Sequence, residues 1–355
     1  MIKYLGSKRR LVPALATIAR AAEIRTAIDL FTGTTRVAQA FKRDGADVTA
    51  VDSARYAAMF ARCYIETDAA AIDTAEVARV IDHLNQLPGR PGYVTEVFCE
   101  RARFFQSANG ARIDAIRDAI AAEWAGSMLE PVLLTSLIEA ADRVDSTTGV
   151  QMAYVKQWAT RSYQPLQLRI PELLAGTGRA VQGDAVALAP TLGPVDLAYL
   201  DPPYNQHRYT ANYHVWETLT AWDAPAHYGV ACKREELRDP ETRSVFNARR
   251  AMPGALRAAI EALDATLVVV SCSNEGWTSV EEVREWCEAR GSTEVLGFDS
   301  RRYVGAQIGV FNPRGHRVGE PTHLHNIEYL VLSGARADVD RCVRAVSEGM
   351  STLRL

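Results

Sequence analysis

The N-terminal part of the chain alternates apolar segments with turns in a pattern that predicts buried strands. Residues 26–31 (TAIDLF) lead into a loop around Gly33, after which apolar residues recur at helical spacing. Residues 47–51 (DVTAV) form a second apolar segment, which ends at Asp52. Strand, glycine loop, helix, strand and acidic residue together predict a βαβ unit, the building block of a parallel sheet.

The middle of the chain has a different pattern. Residues 66–175 are rich in Ala, Glu and Arg at helical spacing and contain few strand signals, which predicts a mostly helical insertion. Strand patterns return in residues 195–200 (VDLAYL) and 267–271 (LVVVS), and residues 304–311 and 327–333 are expected to pair as late antiparallel strands. The predicted fold class is therefore α/β, a doubly wound sheet with a helical insertion.

The composition is that of an ordinary globular protein. Of the 355 residues, 48% are hydrophobic and 23% are charged, which excludes a disordered or fibrous chain. No apolar run approaches the roughly 18 residues that span a bilayer, and no export signal opens the chain, so we expect a cytoplasmic protein that does not enter membranes. The cysteines and histidines lack the spacing of a disulfide framework or a metal site, so no metal is expected.

The net charge of −3 does not by itself indicate a nucleic-acid partner. Basic residues nevertheless cluster in residues 3–10, 233–250 and 301–317, and a folded chain could gather them on one face. Ordinary solvated surface is an equally good interpretation of these clusters on charge alone.

The most specific motif is Asp201-Pro202-Pro203-Tyr204, which directly follows the predicted strand 195–200. In α/β sheets, ligands bind where strands end. The prolines stiffen this loop and remove backbone N–H groups. The carboxylate of Asp201 and the carbonyl of Pro202 can accept hydrogen bonds from the two N–H groups of a planar exocyclic amine, while Tyr204 stacks on the attached ring. The alternative is a strand-to-turn junction in which the prolines end the strand and Tyr204 packs.

The Gly33 loop and Asp52 indicate a nucleotide-like ligand less specifically. The pattern G-x-G-x-x-G is absent, but one glycine after a strand allows the backbone to approach a ligand. Asp52 lies 23 residues after Asp29, close to the spacing of about 20 at which an acid accepts ribose hydroxyls. A single glycine favours a nucleoside without phosphates. An ordinary turn at Gly33 and a helix N-cap at Asp52 are the alternatives.

Four motifs, in this order, resemble one family: KYLGSK (residues 3–8), DLFTGTT (29–35), GDA (183–185) and DPPY (201–204). They are similar to the Dam-like, α-group members of the D12 class of DNA adenine-N6 methyltransferases, of the type found in type II restriction–modification systems. The later stretches SCSNEGW and HNIEYLVLS agree with this resemblance.

The resemblance implies a Rossmann-like S-adenosylmethionine-dependent methyltransferase sheet with a helical inserted domain. In that arrangement residues 1–65 and 176–335 form the catalytic and cofactor-binding domain. Residues 66–175 are the helical insertion that reads the DNA target, and residues 336–355 are a C-terminal helix and tail.

The family's site residues carry over by their positions in these motifs. The residues implied to bind the cofactor are Tyr4, Gly6, Lys8, Asp29, Phe31, Gly33, Asp52 and Asp184. The catalytic residues implied are Asp201, Pro202, Pro203 and Tyr204, and a loop that closes over the target base is expected to contain Asn212, Tyr213 and His214.

One position departs from the family pattern. Thr35 stands where the family's Phe-x-Gly-x-Gly has its second glycine. Its Cβ crowds the approach of the backbone to the cofactor, so cofactor affinity is in doubt. We expect the Thr35 side chain to cap the helix that follows.

The resemblance implies methyl transfer from S-adenosylmethionine to N6 of a flipped adenine in double-stranded DNA. A separately encoded restriction endonuclease is a candidate partner, and a monomer suffices for the reaction. Two alternatives stay open: a cytosine-N4 or protein-glutamine amide methyltransferase, and a non-catalytic DNA-binding module with a decayed cofactor site. The polar candidates for DNA contact in the insertion are Arg101, Arg103, Asn109, Arg112, Arg143, Lys156, Gln157, Arg161, Ser162 and Tyr163.

Overall fold

A computed structural model describes residues 2–6, 8–152, 157–203, 208–301, 310–311, 317–319 and 325–354 of the chain. Within these residues the α-helices are α1 (Val12–Ala21), α2 (Arg36–Arg43), α3 (Arg55–Ala61), α4 (Thr74–Gln86), α5 (Ser107–Glu123), α6 (Glu130–Val144), α7 (Ala185–Leu188), α8 (Tyr209–Asn212), α9 (His214–Ala221), α10 (Met252–Ala262), α11 (Val280–Glu288) and α12 (Arg336–Gly349). The strands are β1 (Thr26–Asp29), β2 (Asp47–Asp52), β3 (Gly178–Gln182), β4 (Val195–Leu200), β5 (His227–Tyr228), β6 (Lys233–Arg234), β7 (Ala265–Ser273), β8 (Ser292–Arg301), β9 (Val310–Phe311), β10 (Arg317–Gly319), β11 (His325–Gly334) and β12 (Leu353–Arg354).

The chain forms two compact units, each assembled from separate segments. The first unit comprises Met1–Gly6, Thr32–Gly183 and His207–Ser244, and the second comprises Ser7–Phe31, Asp184–Gln206 and Val245–Leu355. None of the described helices has the length and apolar character that crossing a membrane requires.

The second unit contains most of the sheet. Strands β1, β4 and β7 are parallel neighbours, β11 lies antiparallel between β7 and β8, and β12 follows on the outer side of β8. Strand β7 (ATLVVVSCS) is buried over most of its length, as its run of β-branched residues predicts for a central strand. Because β1 and β4 are parallel, with Asp29 opposite Tyr199, Asp29 and Asp201 lie at the carboxyl ends of neighbouring strands.

The sequence predicted β4 and β7 correctly, but its pairing for the late strands was wrong. Within the described residues β11 pairs with β7 and β8, whereas Val310–Phe311 pairs with Arg317–Gly319. The sequence did not indicate β8, because residues 292–301 (STEVLGFDSR) mix polar residues and a glycine without regular alternation. Residues 304–309 of the predicted pair lie outside the described part of the chain.

The first unit is mostly helical. Strands β2 and β3 pair in parallel and bring Asp52 opposite Gln182. In the described part of residues 66–175 there are helices α4, α5 and α6 and no strand, as the helical periodicity predicts. The predicted division of the chain into a catalytic domain and a DNA-reading insertion stays a prediction.

Candidate active site

The N-terminal segment of the first unit is fastened by a group of stacked phenol rings. The ring of Tyr4 stacks on Tyr213, with centroids 4.8 Å apart, and on Tyr209, at 5.2 Å. Its hydroxyl lies 3.2 Å from the hydroxyl of Tyr56, and the backbone N–H of Leu5 donates to the Tyr213 hydroxyl at 2.7 Å. Burial raises the pKa of Tyr4 and Tyr56 well above the ordinary value, so both stay neutral. We call Tyr4, Tyr56, Tyr209 and Tyr213 the tyrosine cluster.

Two of the predicted glycines lie directly against this cluster. Gly6 and Gly33 both have left-handed backbone conformations, with φ of +70° and +50°. A Cβ at Gly33 would lie 3.1 Å from the Tyr4 hydroxyl, and one at Gly6 would lie 3.0 Å from the Tyr209 hydroxyl. Glycine is therefore required at both positions by conformation and by space.

Asp52 ties the Gly33 loop to the end of β2. One carboxylate oxygen accepts a hydrogen bond from the backbone N–H of Gly33 at 2.8 Å, and the other accepts from Ala54 N–H at 2.9 Å. Burial raises the pKa of Asp52, and these N–H donors oppose the rise. The N-cap alternative is wrong, because the N-cap of α3 is Ala54. Each oxygen of Asp52 can still accept a further hydrogen bond, as a ribose hydroxyl requires.

Thr35 does not cap helix α2 with its side chain, so that expectation was wrong. Its hydroxyl donates to the Thr34 carbonyl at 2.7 Å and accepts from the Gln39 side-chain amide at 2.8 Å. Thr35 has φ of +62°, a left-handed conformation that costs an L-residue about 1–2 kcal/mol. The backbone at this position thus keeps a conformation that suits glycine, the residue that the family has there, although the chain carries threonine.

In the second unit the DPPY carboxylate meets a buried lysine. The ammonium of Lys8 lies 3.1 Å from Asp201 Oδ1 and 3.5 Å from Glu328 Oε2. Lys8 is only 7% exposed, so water screens these contacts weakly. We call Lys8, Asp201 and Glu328 the lysine–carboxylate cluster. The resemblance implied that Lys8 lies beside the cofactor, and the structure places its ammonium against the Asp201 carboxylate.

The surroundings of Asp201 change its proton affinity. Burial raises the pKa of Asp201 to about 6, Lys8 opposes that rise, and Glu328 adds to it. Asp201 is therefore still a carboxylate at neutral pH, but a more basic one than an exposed aspartate, and it accepts hydrogen bonds correspondingly well.

The residues after Asp201 are only partly described. Pro202 is buried and Pro203 is half-buried, and neither has a backbone N–H that could compete for the carboxylate. Tyr204 lies outside the described residues, so its stacking on a base stays a prediction.

The remaining residues implied to bind the cofactor in the second unit have mixed surroundings. Asp29, the last residue of β1, is 1% exposed. Phe31 packs edge-on against Phe246, with ring centroids 4.9 Å apart. Asp184 is exposed and caps α7, because its carboxylate accepts from the backbone N–H groups of Val186 and Ala187. Sequence reasoning had not predicted this capping role.

Asn212, Tyr213 and His214 do not form a loop, so that expectation was wrong. Asn212 ends α8, His214 begins α9, and all three are buried. Gln151 fixes the junction: its backbone N–H donates to the Asn212 carbonyl at 2.7 Å, and its carbonyl lies 2.8 Å from His214 Nε2. Burial lowers the pKa of His214 to about 3, so the ring is neutral. The contribution of these residues to base binding stays a prediction.

Many polar candidates in the insertion already serve its own structure. Arg112, Arg143 and Arg161 donate to carbonyl groups of the insertion, and Arg161 also pairs with Asp145 at 2.7 Å. Asn109 is buried. Lys156 lies outside the described residues, whereas Gln157 is exposed and Tyr163 is 65% exposed.

One arginine of the basic stretch 233–250 is occupied in the same way. Arg234 is 1% exposed and pairs with Asp223 at 2.6 Å and with Glu236 at 2.9 Å, so it is not available to a phosphate.

Sequence reasoning missed Glu328 as a site residue. The signal was present, because residues 327–332 (IEYLVL) contain a single acid in an otherwise apolar strand. A lone acid beside buried residues needs a partner, and only the fold shows that Lys8 is that partner.

Comparison with known proteins identifies the family. The family model of D12 class N6 adenine-specific DNA methyltransferases matches residues 4–285. The chain belongs to this family. It is an enzyme that methylates adenine in DNA, and its sheet is the Rossmann-like sheet of these methyltransferases. Membership favours this activity over the cytosine-N4, protein-amide and non-catalytic alternatives.

The chain is similar over most of its length to type II modification enzymes. It is 29% identical over 339 residues to the type II methyltransferase M.NlaIII of Neisseria lactamica, which covers 91% of this chain and 98% of that protein. It is 26% identical over 316 residues to the type II methyltransferase M.FokI of Planomicrobium okeanokoites, covering 83% of this chain and 48% of that protein. The chain thus spans nearly all of the first relative but about half the length of the second.

Proposed function

We propose that the chain is the modification enzyme of a restriction–modification system. It transfers a methyl group from S-adenosylmethionine to N6 of an adenine within a specific sequence of double-stranded DNA, and a separately encoded endonuclease cuts the same unmethylated sequence. The observation that supports this proposal most strongly is the half-buried Asp201 carboxylate at the end of β4, paired with Lys8 and followed by two prolines.

The tyrosine cluster and its two glycines suit the methyl donor. Gly6 and Gly33 bring the backbone against the tyrosine cluster in left-handed conformations that glycine adopts readily. Asp52 offers acceptors for ribose hydroxyls. A nucleoside without phosphates fits a loop that has no phosphate-binding glycine pattern. When bound, the donor supplies an electrophilic methyl group on a sulfonium sulfur.

The lysine–carboxylate cluster suits the acceptor. The adenine amino nitrogen is a weak nucleophile because its lone pair is delocalised into the ring. If Asp201 accepts a hydrogen bond from one N–H of the amino group and the Pro202 carbonyl accepts one from the other N–H, the nitrogen becomes more tetrahedral and its lone pair is localised. The nitrogen that gains the methyl group loses one proton, which Asp201, with a pKa of about 6, can accept.

The target adenine has to leave the duplex to reach Asp201. Flipping costs a few kcal/mol, which phosphate contacts and stacking on an aromatic ring repay. We propose Tyr204 for the stacking. Arg9 and Arg10, both exposed beside Lys8 in the chain, are candidates for phosphate contacts.

Nucleoside analysis tests this function. Duplex DNA incubated with the protein and S-adenosylmethionine is digested and analysed by mass spectrometry, with heat-inactivated protein as the control. We expect N6-methyladenine within one repeated sequence. N4-methylcytosine, or a mark without sequence preference, would contradict the proposal.

A further inference from the structure

Three charged side chains from distant parts of the second unit meet at one point. Lys8 comes from the N-terminal segment, Asp201 from the end of β4 and Glu328 from β11. The Lys8 ammonium lies 3.1 Å from Asp201 and 3.5 Å from Glu328. The side chains are 6%, 16% and 22% exposed, so each charge interacts in surroundings with little water.

One ammonium thus faces two carboxylates. A lysine side chain has several rotatable bonds, so a single partner leaves its ammonium free to swing about that contact. Two acceptors on different strands restrict it more strongly. The second carboxylate also competes for the charge that would otherwise act on Asp201 alone.

We propose that Glu328 is a positioning residue for methyl transfer, which holds the Lys8 ammonium beside Asp201 and prevents it from neutralising that carboxylate fully. This inference rests on the proposed function of Asp201 as the acceptor for the adenine amino group. Glu328 itself touches neither substrate, and acts through Lys8.

The sign of its effect on Asp201 follows from charge. Glu328 raises the pKa of Asp201 and Lys8 lowers it. The other titratable groups that face Asp201 in the described residues are the phenol of Tyr199 and the thiol of Cys272, whose pKa values are raised by burial. Both stay neutral near pH 7. Removing the charge of Glu328 therefore makes Asp201 more acidic and a poorer hydrogen-bond acceptor.

The test compares Glu328→Gln with Glu328→Asp, which keeps the charge, and with Glu294→Gln, a control on β8. Single-turnover methylation is measured from about pH 5 to pH 9, with cofactor affinity by titration. For Glu328→Gln we expect a rate about tenfold lower at pH 7, with cofactor affinity within about twofold of the parent. The acidic limb, which is the fall in methylation rate on the low-pH side of the pH–rate profile, should shift to lower pH. Glu328→Asp should return the acidic limb to the position it has in the parent, and Glu294→Gln should have the same pH–rate profile as the parent.

A second readout does not depend on activity. Lys8 is labelled with an amine-acylating reagent and quantified by mass spectrometry relative to Lys42, which is also buried. We expect several-fold faster labelling of Lys8 in Glu328→Gln, because the amine loses one of its two carboxylate partners and is less shielded from the reagent while it stays paired with Asp201. Equal labelling, or an acidic limb that stays in place or moves to higher pH, would overturn the inference. Absence of adenine methylation by the parent protein would instead refute the proposed function, and the labelling result would still decide whether Glu328 holds Lys8.

Discussion

Replacing Lys8 by methionine should move the acidic limb of methylation to higher pH. The variant keeps an unbranched side chain only one atom shorter but removes the only cation described within 4 Å of Asp201. Asp201 and Glu328, which are half-buried, then lack their shared counter-ion. Losing one partner of a fully buried ion pair costs about 3–5 kcal/mol, which is the upper limit here.

The magnitude follows from the distance. At 3.1 Å and an effective dielectric constant of about 20, the gross attraction between Lys8 and Asp201 is about 5 kcal/mol. The pKa of Asp201, about 6 with Lys8 present, rises when that attraction is lost, and each unit corresponds to about 1.4 kcal/mol. A rise of about two to three units, roughly half to four-fifths of that gross attraction, lowers the ionised fraction at pH 7 about 10- to 100-fold, and we expect the rate to fall by the same factor.

Single-turnover methylation of a duplex as a function of pH measures this effect. The parent rate should fall below about pH 6, the pKa of Asp201, and the limb of Lys8→Met should lie at higher pH, with partial recovery in alkaline buffer. Lys8→Arg, which keeps the charge, is the matched control. An unchanged limb in Lys8→Met, or an equal loss of rate at every pH, would refute the reasoning.

Three further changes test other parts of the structure. Asp52→Ala should weaken cofactor binding at least about tenfold, since it removes the acceptors for ribose; a titration that finds normal affinity with lost turnover would contradict this role. Gly33→Ala should lower both cofactor affinity and stability, by about 1–2 kcal/mol, because φ is +50° and the new Cβ meets the Tyr4 hydroxyl at 3.1 Å; Tyr4→Phe in the same chain should restore part of the loss, and denaturant unfolding would show whether it does. Glu217→Gln should stabilise the protein at pH 8 by roughly 1–3 kcal/mol. Burial raises the pKa of Glu217 to about 7, so ionising this carboxyl destabilises the folded parent protein as pH rises from about 4.5 to about 7. The melting temperatures of parent and variant are compared at pH 4 and at pH 8; a difference between them that is the same at both pH values would argue against this prediction.

The sequence predicted those features of the site that depend on neighbours along the chain. Gly33 and Asp52 are joined by a hydrogen bond because a βαβ unit returns the chain to the loop where it began. DPPY follows β4 because a buried strand has to end before two prolines.

Features that depend on packing between distant segments could not be predicted. The lysine–carboxylate cluster joins residues 8, 201 and 328, and no periodicity links such positions. Asn212 and His214 are in helices rather than a loop because Gln151, far away in sequence, supplies the polar partners at their junction. Thr35 was expected to cap a helix by residue type, but its left-handed backbone directs the hydroxyl to Thr34.

The central claim, that Asp201 activates the adenine amino group, is tested most directly by the single-turnover rate of Asp201→Ala under saturating S-adenosylmethionine and duplex DNA. We predict a loss of about 100-fold or more, with cofactor affinity within about threefold of the parent. A rate equal to that of the parent would contradict the claim.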